Sequence, residues 1–356
     1  MPAIKISSSS IKFIVLLLVS IFLLSCESVS YYSQAARGQL SIMMGRQDIE
    51  ALLEDTALSM ELREKFTLVL EIRDYAASDM LLPVASNYSS YVDVQREHAV
   101  WNVFAAPEFS TQALNWCYPI AGCVSYRGYF SEESAQRYGE KLAEQGFDVY
   151  TGGVDAYSTL GWFDDSLLST VLNRSDYQLA GLIFHELAHQ IVYVPGDTTF
   201  NESFATAVER EGIRRWLEQR GQAELVAPAL INMQRQEEFV ALVSAWRVQF
   251  DELYLEQLSD DEMRQRKRSL QEEMRADYNA VKATWDDYNG YDNWFSRSLN
   301  NAQLSTVSSY NDLVPAFDTL LAENGDDLAE FYSAVKGLAG LDAGERSAAL
   351  DALVKP

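Results

Sequence analysis

The sequence predicts an α+β fold, predominantly helical, that carries a long antiparallel helical hairpin. Three observations lead there. Aromatic and β-branched residues concentrate after Tyr88, in YSSYVDV, AVWNVFAAP and CVSYRGYF, as they do in strands. Amphipathic and apolar helical patterns flank that block on both sides. Further on, Phe239, Val243, Trp246, Phe250 and Leu253 step four, three, four, three, the seam spacing of two packed helices.

Composition sets the outer bounds. A chain of 356 residues that is 48% hydrophobic and 22% charged buries a sizeable core. A net charge of −24 argues against nucleic acid as a partner and against electrostatic docking on anionic lipid.

Lys5 and Lys12 are the only charges before an apolar run, Phe13–Leu24, that is too short to span a bilayer as a helix. The run closes in Leu23-Leu24-Ser25-Cys26, which resembles a bacterial lipobox. That resemblance implies a signal peptide over 1–25 and lipid on Cys26, which would tether the chain to the cell envelope. Glu27, in place of an aspartate, favours the outer membrane, facing the periplasm. The remainder, 26–356, contains no repeat or low-complexity linker and reads as one domain. Cys117 and Cys123, in WCYPIAGC, are then an even pair in an oxidising compartment. A loop with Pro119 and Gly122 can close between them, so they are expected to form a disulfide.

Residues 31–82 read as two helices, the second over Leu58–Leu82 with Leu62, Phe66, Leu70, Ile72 and Tyr75 near helical spacing. His98 enters the second strand stretch and reads as a packed or surface histidine. Ser131–Gly146 is a polar amphipathic helix, and Asp148–Phe163 a glycine-punctuated strand pair.

The chemistry concentrates in Leu179–Glu209, around the H-E-x-x-H of His185, Glu186 and His189. Residues four apart share one helix face, so both imidazoles can hold one ion, with Glu186 beside the first as general base. The chain has three histidines, and two are here. Ser175 and Gln178 form a capping-box pattern, and the body LAGLIFHELAHQIVYV is apolar nearly all round, so the helix is expected to be buried and to run to Pro195-Gly196-Asp197. Burying two imidazoles and a carboxylate is costly unless they are paired or bound to metal. A second helix is expected from Phe200–Asn201 to Arg220, stopped by Gly221. The intervening turn would bring Glu202 beside His189 as third ligand. Asp197 competes for that role, and Glu202 could instead cap its own helix from Thr199. Two histidines and a carboxylate with one open position point to Zn2+ and hydrolysis. Pro195 stands where a longer pattern would need a third histidine.

HELAHQ followed by GDTTFNESFATAVEREG, with WCYPIAGCVSYRGYF and AYSTLGWFDD upstream, resembles a family of bacterial lipoproteins predicted to be aminopeptidases. The likeness runs from Tyr31 to the region of Tyr310, and the Asn201-Glu202 helix is also similar to that of the gluzincins. The resemblance implies a zincin-like metallopeptidase core with His185, His189 and Glu202 as zinc ligands, Glu186 as base and a peptide as substrate. Two departures stand out. Only twelve residues separate His189 from Glu202, and Thr206 stands where thermolysin-like enzymes carry a supporting acid. Glu209, a turn on, would take that supporting role. In such enzymes the strand before the metal helix often lines the substrate, which makes Tyr157, Ser158, Thr159, Leu160 and Gly161 the candidate edge, with a buried core strand equally open. Tyr193, Tyr157 and Tyr310 are candidates to hold the oxyanion, and Tyr310 is preferred for its downstream position. Two other activities stay open: a zinc endopeptidase in envelope quality control, and a non-catalytic envelope-binding lipoprotein with a vestigial site.

The hairpin occupies about 225–288. Its second helix follows the turn and capping box of Ser259-Asp260-Asp261-Glu262 and carries Leu270, Met274, Tyr278, Val281 and Trp285 on one face. It either projects from the core or packs over it, with Arg264–Arg268 as a solvated face. Asn289–Asn293 is a break, and Asp312–Ala349 supplies short closing helices.

Overall fold

The computed structural model describes residues 29–118, 122–156, 164–286, 288–307 and 313–354. The lipobox with Cys26, the candidate edge Tyr157, Ser158, Thr159, Leu160 and Gly161, and Tyr310 lie outside the described residues. The chain opens with helix α1 (29–44), strand β1 (Gln47–Asp48) and helices α2 (Ile49–Glu54) and α3 (Met60–Ser78). The two expected helices are therefore three, and the last stops before Leu82. Local caps explain both corrections. The Asp48 carboxylate accepts from Ala51 N at 2.8 Å, and Ser59 Oγ from Leu62 N at 3.3 Å, starting α2 and α3 separately. Beyond Ser78, Leu81 turns left-handed at φ 54° and Leu82 N bonds back to Ala76 O, which closes α3.

Strands β2 (Ser90–Val92), β3 (Val100–Pro107), β4 (Trp116–Tyr118), β5 (Gly122–Val124) and β6 (Arg127–Tyr129) precede helix α4 (Glu132–Glu144) and strands β7 (Phe147–Val154) and β8 (Leu167–Leu168). The main sheet has the order β6-β3-β7, antiparallel throughout, with β3 and β7 in register from Val100↔Val154 to Pro107↔Phe147. The segment from Asp148 was expected to fold as a strand pair. Its first strand is β7, which pairs with β3, and residues 157–163, where the second would lie, are outside the described residues. A smaller sheet runs β1-β2-β8, with β8 parallel to β2. Cys117 pairs across the β4–β5 hairpin with Cys123, and the two form a disulfide. His98 packs edge-on to Trp101 and its Nδ1 lies 2.6 Å from Asp155 Oδ1.

The helical half comprises α5 (Asp176–Ala188), α6 (Thr198–Gln219), α7 (Val226–Tyr254), α8 (Asp260–Ala283), α9 (Asp292–Phe295), α10 (Asn301–Leu304), α11 (Val314–Glu323), α12 (Leu328–Ala339) and α13 (Ala343–Val354). The largest core surrounds α5 and α6, where Ile183, Phe184, Leu187 and Phe204 meet Phe66 and Ile72 of α3 and Phe317 and Phe331 beyond. Helices α7 and α8 pair antiparallel: Glu238 meets Trp285, and Trp246 meets Asp277. Their seam of Phe239, Val243, Trp246, Phe250, Met274 and Tyr278 forms a second core with Phe295 and Leu299.

The hairpin packs over the sheet. Its basic run is the expected solvated face only in part: Arg266 and Arg268 are exposed, whereas Lys267 is buried. Lys267 is 7% exposed, and its Nζ donates to Asp148 Oδ2 at 2.6 Å and to Glu108 O at 2.8 Å. Arg264 forks onto both Glu108 carboxylate oxygens at 2.7 and 2.9 Å. An ammonium is buried only where such partners compensate it, so this contact fixes α8 against the ends of β3 and β7. No helix among the described residues is long and apolar enough to cross a membrane.

Candidate active site

Helix α5 starts as its capping box requires, with Ser175 N donating to Gln178 Oε1 at 3.1 Å. It ends at Ala188, six residues before its apolar pattern stops at Val194. His189 is the C-terminal cap, so it stands at the end of the helix and not a turn and a half inside it. Gln190 N and Ile191 N bond three residues back, to Leu187 O and Ala188 O, and tighten the chain into turns. Asn201 holds the loop from the other side: its Oδ1 accepts from Val194 N at 2.8 Å and its Nδ2 donates to Val194 O at 2.9 Å. Ile191, Val192 and Val194 are apolar because they pack on the core, not because they are helical.

Helix α6 begins at Thr198. Asp197 Oδ1 accepts from Phe200 N at 3.1 Å, and its other oxygen takes Nη2 and Nε of Arg346 at 2.7 and 3.0 Å. Asp197 is thereby engaged as cap and ion-pair partner, and Glu202 is left free of any capping duty. Two glycines let α5 and α6 approach closely. A Cβ on Gly181 would stand 2.7 Å from Ile213 Cδ1 and 3.1 Å from Glu209 Oε1, and one on Gly212 2.5 Å from Phe184 Cδ2. Glu202 and Glu209, about two turns apart on α6, can therefore both reach His185 across the helix pair.

The resulting cluster is tight. His185 Nε2 lies 3.3 Å from Glu202 Oε2, and His189 Nε2 lies 3.7 Å from Glu202 Oε1. One donor atom from each of His185, His189 and Glu202 lies within 4.8 Å of the others. Tetrahedral zinc with bonds of about 2.0–2.1 Å sets its donors roughly 3.4 Å apart, close to the 3.3 and 3.7 Å that separate Glu202 from the two imidazoles. Behind them, His185 Nδ1 donates to Glu209 Oε2 at 3.1 Å.

The electrostatics follow from this arrangement. Burial opposes a charged His185, but hydrogen bonds to Glu202 and Glu209 outweigh it and push the imidazole up to about 10. His189 moves the other way, lowered by burial and then by the His185 charge, and its Nδ1 is buried with no hydrogen-bond partner among the described residues. Burial works against an ionised Glu202, yet the His185 hydrogen bond and the two imidazoles hold its carboxyl below the ordinary range. A protonated His185 ring donates to both carboxylates, through Nδ1 to Glu209 and through Nε2 to Glu202.

His185, Glu186 and Glu209 open into a cleft of about 340 Å³, whose other walls include Tyr177, Asn232, Tyr288 and Tyr291. Asn232 Nδ2 donates to the Tyr177 hydroxyl at 2.9 Å. Glu186 also borders a small cavity with Tyr88 and Asp165. The fully buried Tyr88 phenol is pushed well above its ordinary range by burial and then by the charges of Glu186 and Asp165. None of these tyrosines was evident from sequence, since no local pattern ties them to a motif so distant in the chain. Among the residues weighed for the oxyanion, Tyr193 is 47% exposed and 6.4 Å, ring to ring, from His189. The strand directly before α5 is β8, whose two leucines are buried.

No curated protein and no solved structure matches the chain. One family model matches residues 30–350, from α1 to α13, and so takes in the whole His185 cluster and both helical cores. By that match the chain belongs to the putative aminopeptidase family.

Proposed function

We propose that this protein is a zinc-dependent peptidase of the zincin type, tethered to the bacterial envelope by lipid on Cys26. The observation that carries the reading is the convergence of His185, His189 and Glu202 donor atoms within 4.8 Å, with Glu186 lining the cleft into which His185 opens. Family membership supports peptide hydrolysis as the reaction.

His185, His189 and Glu202 would hold the ion, which when bound supplies Lewis-acid polarisation of the scissile carbonyl and acidifies water. Glu186 accepts a proton from the attacking water and delivers it to the departing amine. Glu209 keeps His185 in the orientation that turns Nε2 toward Glu202. Asn201 and Asp197 fix the loop and helix start that set Glu202 in place. Tyr310 remains our candidate for the oxyanion, and Tyr157–Gly161 for the substrate edge.

Anchoring draws support from α1, which begins just after Cys26. Val29, Tyr32, Leu40, Met43 and Met44 are exposed large apolar residues. At 100° per residue they fall within an arc of about 120° on one side of the helix, as a surface resting on lipid would require.

The deciding experiment pairs metal analysis with peptide hydrolysis by the wild type and Glu186→Gln. The reading expects one zinc per chain in both proteins and hydrolysis only in the wild type. Protein that hydrolyses peptides without zinc, or Glu186→Gln at full activity, would refute it. Comparing free-amine with amino-blocked peptides separates aminopeptidase from endopeptidase action.

A further inference from the structure

We infer that Arg174 is a specificity-determining anchor for a carboxylate of the substrate. The inference rests on the peptidase reading for the identity of the ligand as a peptide. Arg174, Gln178, Leu182 and Glu186 are spaced four apart along α5 and its start, and all four line the cleft that contains His185. The cleft therefore runs down one face of the helix, from the histidine cluster at one end to a guanidinium at the other.

That guanidinium is unpaired. Among the described residues, Arg46, Arg174, Arg235 and Arg247 each bury an Nε with no hydrogen-bond partner. The other three make a hydrogen bond through another nitrogen, to Asp164, Trp285 and Val307. Among the described residues the Arg174 side chain makes no hydrogen bond and no ion pair. This happens in a chain with 52 acidic residues against 28 basic ones, where an acid for every arginine is easily supplied. A partly desolvated guanidinium with no acceptor is unfavourable, and an entering carboxylate would satisfy it through two parallel N–H···O bonds. Of the carboxylates lining the cleft among the described residues, Glu209 is bonded to His185 and Glu186 adjoins that histidine in the chain, so both acids lie at the histidine end and the charge at the far end is positive.

Distance converts this into a substrate length. Arg174 and His185 are separated by about 16 Å of helical rise at 1.5 Å per residue. Less the reach of the arginine itself, that interval holds about three extended residues at 3.3–3.6 Å each. The cleft thus suits a short peptide whose carboxylate lies about three residues from the scissile bond. Either a free C-terminus or an acidic side chain could supply that group.

Three tetrapeptides with free amino termini test this by titration calorimetry: tetraalanine acid, tetraalanine amide, and an amide with glutamate as its last residue. The full-length protein carrying Glu186→Gln, alone and with Arg174→Gln or Arg174→Lys, serves as receptor, so that bound peptide is not consumed. With Arg174 present, at least one carboxylate peptide should bind tenfold or more tightly than the plain amide, and which one does so identifies the source of the carboxylate. Arg174→Gln should reduce that preference to within twofold, and Arg174→Lys should retain part of it. Equal binding of acid and amide, a preference that survives Arg174→Gln, or no binding of any acid peptide would overturn the inference. A carboxylate preference in a protein that hydrolyses no peptide would support the anchor and refute only the peptidase reading.

Discussion

Glu209 stands directly behind His185, its Oε2 3.1 Å from the imidazole Nδ1, while Nε2 of the same ring faces Glu202. One ring is thus held between two carboxylates from the same helix. Such a contact fixes the tautomer and ring plane of a ligating histidine and raises its basicity. Glu209→Gln should weaken zinc binding by about 10–100-fold, as losses of this kind do, while leaving the fold intact. Competition with a chromophoric chelator measures it, and an unchanged zinc affinity would remove Glu209 from the site.

The same pair predicts a proton released on metal binding. In the ion-free protein His185 is pushed up to about 10, because its hydrogen bonds to Glu202 and Glu209 outweigh burial. A folded value above the unfolded one, about 6.5, means the stabilisation is complete below about 6.5. It is lost as pH rises through about 10. An ion on Nε2 needs the neutral ring, so at pH 7.5 binding should expel about one proton. Apparent zinc affinity should then rise about tenfold per pH unit between 7 and 9. Calorimetry in two buffers of different ionisation enthalpy counts the proton, and a count of zero would refute the protonated bridge.

Gly181 and Gly212 separate packing from site geometry. A methyl on either one collides with the facing helix, at Ile213 Cδ1 for Gly181 and at Phe184 Cδ2 for Gly212. Both alanine variants should lose about 1–3 kcal/mol of stability, the usual cost of overpacking. Only Gly181→Ala should also weaken zinc binding, since its methyl would lie 3.1 Å from Glu209 Oε1. Urea unfolding beside the chelator assay distinguishes the two effects. Equal zinc affinities in the two variants would contradict the placement of Glu209.

Lys267 should matter far more than its neighbours in the same basic run. Lys267→Ala leaves Asp148 without its ammonium in a largely buried position, which costs about 3–5 kcal/mol for pairs of this kind. Arg266, more than half exposed and 3.4 Å from an exposed Glu256, should lose no more than about 1 kcal/mol on the same change. Denaturant midpoints compare them directly, and similar losses in both would mean that the hairpin is not held through Lys267.

His185, Glu186 and His189 were legible in the sequence because their chemistry depends on a spacing that the helix enforces locally. Glu202 and Glu209 followed from the same logic one turn and one helix later. The end of α5 was not legible. Its apolar run continues to Val194, and what stops the helix is a side chain seven residues further on, Asn201, bonding to the Val194 backbone. Lys267 was misread for a related reason. In sequence it belongs to a charged run, and its acid partner, Asp148, is brought near only by the docking of α8 on β7. The cleft wall formed by Asn232, Tyr288 and Tyr291 has no local signature, because it comes from chain far downstream of the motif. Patterns reveal what neighbours in sequence do for each other, and these residues work on distant partners.

From His185 to Glu202 the three candidate ligands occupy eighteen consecutive residues. The denatured chain therefore keeps them within a loop so short that closing it around an ion requires little entropy. Zinc would retain measurable affinity for the unfolded protein, unlike an ion whose ligands come from distant parts of a chain. Added zinc should accordingly raise the melting temperature by less than its affinity for the native protein implies, because both states compete for it.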